Sequence, residues 1–246
     1  MEENDRIKLS EPIFCSLQGE GPYSGTPSLF IRTSRCILTC PFCDTKFAWK
    51  DGDINITVKD ILDELRKKKT INHIVITGGE PLLECNHKKL KTFLDALSGF
   101  FYITFETTLL SGKNVLFEST LRNELFEYTK FFKREIHYVI SPKFDPNCYP
   151  FPVIKENIFR FYGEYLNGYD ACFKLIYDKN DLDILEFIEK PKVNSNDIWI
   201  MPMTPIPFDK DLYKKSCENT AEFCIKKGLK YSPRIHIDIW GNERGK

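Results

Sequence analysis

The sequence carries no net charge, because 35 Lys and Arg balance 35 Asp and Glu. No global field therefore draws it to nucleic acid or to an anionic membrane, and a small, locally read ligand is favoured. It also lacks any run of about 18 consecutive apolar residues, the length a spanning helix needs. The opening Met1-Glu2-Glu3-Asn4-Asp5-Arg6 is acidic and leads into no apolar leader core. A cytoplasmic setting is expected, with neither membrane nor nucleic acid as partner. Internal repeats, low-complexity tracts and an interdomain linker are missing too, so one domain over 1–246 is expected. The nine cysteines are an odd number for a disulfide framework, and no secretory signal points to an oxidising compartment. Metal binding or burial must account for them.

What is present is ample apolar material, 42% hydrophobic and 14% aromatic residues, enough for a substantial core. Strand signals fall at 28–33, 73–77, 101–106, 137–140, 172–177 and 198–203. Helical stripes fall at 57–69, 88–97, within 115–132, at 182–189 and at 211–227. This alternation implies βαβ units and a mainly parallel sheet. Six strands are too few for an eightfold barrel, so the expected fold is α/β, a partial (β/α)6-type barrel. Candidate insertions lie near 109–135 and 144–170, the second rich in aromatics, Pro and Asn and a candidate lid.

Cys36, Cys40 and Cys43 place three thiols within eight residues, directly after the first predicted strand. Three close thiolates suit a soft metal centre. A structural zinc site wants a fourth Cys or His at comparable spacing, and none occurs between Cys43 and His73. Zinc or a fortuitous triplet remains the alternative on spacing alone. The other six, Cys15, Cys85, Cys148, Cys172, Cys217 and Cys224, lie far off in sequence and read as small buried hydrophobes.

Thr77-Gly78-Gly79-Glu80-Pro81 follows the second predicted strand, where glycines permit close backbone approach to a ligand. Glu106-Thr107 ends the third, and Ser141-Pro142-Lys143 follows the fourth. Polar residues at the C-terminal ends of parallel strands are where such folds build ligand sites. His73, His87 and His137 read as structural or exposed, and packing is favoured over stacking for Phe47 and Trp49.

The C-x3-C-x2-C spacing and the Gly-Gly-Glu-Pro string resemble the radical S-adenosylmethionine superfamily. That resemblance implies a [4Fe-4S] cluster on Cys36, Cys40 and Cys43, with S-adenosylmethionine contacted by Gly78, Gly79, Glu80, Glu106, Ser141 and Lys143. Phe14-Cys15-Ser16-Leu17-Gln18-Gly19-Glu20-Gly21-Pro22, Phe30-Ile31-Arg32, Cys43-Asp44-Thr45-Lys46-Phe47-Ala48-Trp49 and Arg234-Ile235-His236 narrow it. Together they resemble the 7-carboxy-7-deazaguanine synthase family over nearly the whole chain. The resemblance implies radical ring contraction of 6-carboxy-5,6,7,8-tetrahydropterin with loss of ammonia. It assigns the substrate to Gln18, Glu20, Arg32 and His236, with Arg234 beside them, and Mg²⁺ to Thr45. A homodimer and a flavodoxin- or ferredoxin-like reductant are implied as well.

Two positions depart from the family pattern. Arg35 stands where Gly is common, and Thr108-Leu109 follow Glu106-Thr107 where a small or amide residue is common. The first is expected to alter the cluster loop and the second the ribose contacts. The rival readings are a glycyl-radical activating enzyme, which would leave Gln18, Glu20 and Thr45 unexplained, and a noncatalytic metal-binding module.

Overall fold

Short apolar runs enter one sheet side by side because strands buried on both faces must be apolar throughout. The computed structural model describes residues 6–97, 101–108, 136–149, 170–178, 182–189 and 197–246, with only the backbone of Glu84 and Pro146. β3 (Pro27–Thr33), β5 (His73–Gly78), β6 (Tyr102–Thr107), β7 (Ile136–Ile140), β8 (Ala171–Tyr177) and β9 (Ile198–Pro202) pair in that order, all parallel. The short β10 (Lys230–Tyr231) extends the parallel run beyond β9. β7 is buried at every position.

Four strands went unread in the sequence, β10 and three antiparallel ones. β1 (Arg6–Leu9) pairs antiparallel with β3 and with β4 (Ile54–Thr57), and β2 (Phe14–Leu17) pairs antiparallel with β3. The sheet is therefore mixed, running β10-β9-β8-β7-β6-β5-β3-β1-β4 with β2 beside β3. Its two ends do not meet among the described residues, as a partial barrel requires. The α/β architecture is as expected, with an antiparallel margin added.

The helices obey local rules. α1 (Val58–Lys67) begins with a capping box between Thr57 and Asp60, and buries Val58, Ile61 and Leu65. α2 (Glu84–Ala96) starts four residues earlier than its apolar stripe suggested. α3 (Leu182–Ile188) covers the sheet with Ile184 and Phe187. α4 (Lys210–Lys227) is capped by the Asp209 side chain, which accepts from the Asp211 and Leu212 N–H groups. It stops at Gly228, whose φ of 65° supplies the left-handed turn. α5 (Ile235–Trp240) was not foreseen. The helix expected within 115–132 and the insertion at 109–135 lie outside the described residues. Of the aromatic segment 144–170, residues 144–149 and 170 are described, with Phe144 and Tyr149 in the core, and the rest of the candidate lid lies outside the described residues. No helix among the described residues is long and apolar enough to cross a membrane.

His73 is structural, as expected. Its ring hydrogen-bonds Ser28 Oγ at 2.7 Å and Thr104 Oγ1 at 2.8 Å, and burial lowers its pKa to about 4. A neutral imidazole thus links β3, β5 and β6. His137 is buried against Asp170 and Cys172, and His87 meets the Leu82 carbonyl.

Candidate active site

A cavity of about 470 Å³ opens over the C-terminal ends of the parallel strands. Cys36, Cys40 and Cys43 line it, together with Gly78 and Gly79, Glu106, Ser141 and Lys143, and Gln18 and Glu20. All three thiols are free. The loop carrying them is closed at its base, where Arg35 N–H meets the Lys50 carbonyl at 3.1 Å and Cys36 N–H meets that of Trp49 at 3.2 Å. Backbone N–H groups of Leu38 and Thr45 approach the Cys36 and Cys43 sulfurs at 3.4 Å. Among the described residues no three His, Cys, Asp or Glu side chains gather closely enough for a single ion. The three thiols thus share a wall rather than a point.

Arg35 explains its own departure. Its φ is 73°, in the left-handed region where glycine is unstrained, so the loop keeps a glycine-like turn with a side chain that pairs with Asp51 outside. Gly78 and Gly79 fit against this turn. A Cβ on Gly79 would lie 2.0 Å from the Arg35 carbonyl oxygen, and one on Gly78 2.2 Å from that of Thr33. The close approach of β5's exit therefore requires both glycines, Gly78 against the end of β3 and Gly79 against the cysteine loop.

Glu80 does not line the cavity. Its carboxylate is fully buried and accepts from Leu82 N–H at 3.0 Å, Thr107 Oγ1, Thr108 N–H at 2.7 Å and Thr108 Oγ1 at 2.6 Å. Thr108, the second departure, is thus spent on Glu80. Together they tie the glycine turn to the end of β6.

The cavity's polar wall is one hydrogen-bonded line. Gln18 Nε2 donates to Glu106 Oε1 at 3.0 Å, and Lys174 Nζ bridges Glu106 Oε2 and Glu20 Oε2, the latter at 2.5 Å. Arg234 Nε donates to Glu20 Oε1 at 2.8 Å and its Nη2 to Asp44 Oδ2 at 2.5 Å, while Nη1 meets Thr204 Oγ1. Thr45 Oγ1 ends the line on Asp44 Oδ1 at 2.9 Å. Burial would raise the Glu20 carboxyl, but Lys174 and Arg234 hold it well below the usual carboxylate range. Among the described residues Glu106 has only Lys174 as its cation and sits beside the charged Glu20, so burial pushes it up. Asp44 is resisted by burial yet lowered by Arg234. Burial lowers His236 against the pull of Glu20.

Residues 30–121 match the Radical SAM superfamily. The 7-carboxy-7-deazaguanine synthase of Rhodopirellula baltica is 31% identical over 243 residues, covering 96% of this chain and 88% of that one. The chain belongs to the 7-carboxy-7-deazaguanine synthase family. The same-named protein of Hyperthermus butylicus is 28% identical over 230 residues, 92% of this chain and 89% of that one. The crystal structure of QueE from Escherichia coli superposes with a TM-score of 0.57 at 22% identity, covering 96% of this chain and 99% of that one, and shares the fold. As members of a radical SAM family, 7-carboxy-7-deazaguanine synthases use a [4Fe-4S] cluster and S-adenosylmethionine.

The family's signature segments converge here through the end of the chain. Gly21 N–H donates to Ser232 Oγ at 2.8 Å and Ile235 N–H to the Gly19 carbonyl at 3.0 Å, which seats Arg234 and His236 on the Gln18–Gly21 loop. Arg32 lines the cavity with its Nε held by Glu11, which also accepts from Arg244 Nε at 3.1 Å. Arg244 stacks over Phe47, 3.8 Å from the ring centre. Phe47 is 41% exposed at the rim, so it is not a packed core ring. Lys143 Nζ donates to Ser141 Oγ at 2.6 Å.

Sequence reasoning missed Lys174, Glu11, Thr204 and Arg244. Lys174 alone left a signal, a lone charge inside the apolar run Ala171–Tyr177. The cysteine reading needs correcting as well. Cys15 and Cys85 are exposed, because one sits on an outward position of the marginal β2 and the other in the first turn of α2. Cys148 is not remote from the triplet: its thiol neighbours that of Cys40, and Thr39 N–H donates to its carbonyl at 2.8 Å. The adjacent Cys148 thiol, with Lys143 nearby, lowers Cys40 to about 7, whereas burial pushes Cys36 up to about 12.

Proposed function

We propose that the chain converts 6-carboxy-5,6,7,8-tetrahydropterin into 7-carboxy-7-deazaguanine with loss of ammonia, toward queuosine and related 7-deazapurines. The observation that carries this is the hydrogen-bonded line from Gln18 to Thr45, which joins the segments distinctive of the family to the cysteine loop inside one cavity. Cys36, Cys40 and Cys43 would hold the [4Fe-4S] cluster, three soft donors with no fourth cysteine among the described lining residues. When bound, the cluster and S-adenosylmethionine supply a 5′-deoxyadenosyl radical, the species that starts the pterin chemistry.

The chain's own residues bind and orient. The Gly78-Gly79 backbone would meet the methionine moiety, and Glu106, Ser141 and Lys143 its ribose and carboxylate. Glu80 acts from behind the wall, fixing that backbone. Gln18 and Glu20 read the amide and amino edge of the pterin, with His236 above Gly19 closing one side. Arg32, oriented by Glu11, takes the substrate carboxylate through its remaining N–H groups. Thr45 and the neighbouring Asp44 offer oxygen donors of the kind Mg²⁺ prefers. One domain, a homodimer, a cytoplasmic setting and a flavodoxin- or ferredoxin-like electron donor belong to the same reading.

The test is anaerobic turnover of 6-carboxy-5,6,7,8-tetrahydropterin by the cluster-loaded protein with S-adenosylmethionine, reductant and Mg²⁺, followed by mass spectrometry. 7-Carboxy-7-deazaguanine is the expected product. Cleavage of S-adenosylmethionine without that product would move the chain to another substrate.

A further inference from the structure

We infer that Lys174 is a positioning residue that sets which way the Gln18 amide faces, and so whether the cavity accepts the hydrogen-bond donors of a pterin edge. This rests on the reading above and deepens it.

Lys174 sits on β8 with a side chain only 6% exposed, and both of its described partners are carboxylates. Glu106 has no other cation within hydrogen-bonding reach among the described residues, and it shares the wall with the ionised Glu20. Two buried carboxylates this near cannot both stay charged without a cation between them. Lys174 keeps Glu106 an acceptor. An ionised Glu106 takes the Gln18 NH₂ at 3.0 Å, which leaves the Gln18 carbonyl oxygen to accept from a ligand. A protonated Glu106 would instead donate to that oxygen, turning the amide and presenting NH₂. The wall would then offer a donor where the amino and N–H groups of a pterin need acceptors. A site that leaves such a donor facing a donor loses at least about tenfold in affinity.

The consequence is a pattern of suppression. Lys174→Met should protonate Glu106 and turn Gln18. Glu106→Gln, isosteric with the native residue, should turn Gln18 as well, because the ammonium of Lys174 takes the new amide's oxygen and leaves its NH₂ against Gln18. In the double variant Lys174→Met/Glu106→Gln no ammonium competes, the amide oxygen faces Gln18, and the native direction returns.

The experiment measures the Kd of 6-carboxypterin, by its own fluorescence, on cluster-loaded wild type and the three variants. KM and kcat for the tetrahydropterin follow, and thermal unfolding checks the fold. Each single variant should bind about tenfold or more weakly, with KM rising and kcat changing less, while the double variant binds better than either. Undiminished binding by Glu106→Gln, which preserves shape, would overturn the inference even if Lys174→Met fails to fold. Additive losses in the double variant would overturn it too. Wild-type turnover with additive variants would leave the proposed function standing, whereas a wild type that neither binds nor converts pterin would overturn both.

Discussion

Replacing Gly19 by alanine probes how the end of the chain completes the site. A Cβ built there would lie 2.0 Å from His236 Nδ1, 2.9 Å from its Cε1 and 3.0 Å from its Cγ, and these are its three nearest atoms. Ordinary contact begins near 3.4 Å, so the ring must withdraw by roughly 1.4 Å. The fold should absorb this, because the obstacle is one half-buried side chain. A misplacement of about 1 Å in a positioning group costs on the order of 100-fold. Gly19→Ala should therefore raise KM for the tetrahydropterin by about 10- to 100-fold, with the unfolding temperature little changed. The sharper form is a double-variant cycle with His236→Ala, measured by steady-state kinetics under anaerobic conditions. Truncating the imidazole removes all three of those atoms, so Gly19→Ala should cost little further. Additive effects of the two changes, or an unaltered KM in Gly19→Ala, would refute the reasoning.

Glu80→Ala should destabilise the chain by about 3 kcal/mol in chemical denaturation, since it strands the buried Leu82 and Thr108 N–H groups. Thr45→Ala should weaken the Mg²⁺ dependence of turnover while iron and acid-labile sulfide contents stay unchanged; an unchanged Mg²⁺ response would remove that role. Glu20 has a folded pKa below its unfolded value of about 4.5, so its contribution to stability is full above that value and is lost as pH falls below it. Denaturation of cluster-free wild type and Glu20→Gln should accordingly show a difference at pH 7 that shrinks as the pH is lowered into the carboxylate range.

The six parallel strands were legible because each is a short apolar run followed by polar or glycine residues, a pattern that local chemistry enforces. β1 and β4 were not, since Arg6–Leu9 and Ile54–Thr57 alternate and are too short to stand out. The cysteine loop and the glycine turn could be read as one site from their positions at strand ends, and the Gln18–Glu20 segment joined them through the family resemblance. What joins them could not. The Asp44–Arg234 and Glu20–Lys174 pairs span 190 and 154 residues, and no local pattern reports such distances. Glu80 shows the reverse case, a residue legible as part of a motif whose side chain works inside the protein. Arg35 looked like a defect in the loop until its backbone proved to hold the glycine conformation.

The central claim is that cofactor and pterin meet in the cavity above the strand ends, against the Gln18–Glu106–Lys174 wall. Its most direct test is the anaerobic crystal structure of the cluster-loaded protein with S-adenosylmethionine and 6-carboxy-5,6,7,8-tetrahydropterin. The account predicts a cluster on Cys36, Cys40 and Cys43, with the pterin between Gln18, Glu20 and His236 and its carboxylate on Arg32. A pterin bound elsewhere, with that wall untouched, would contradict it.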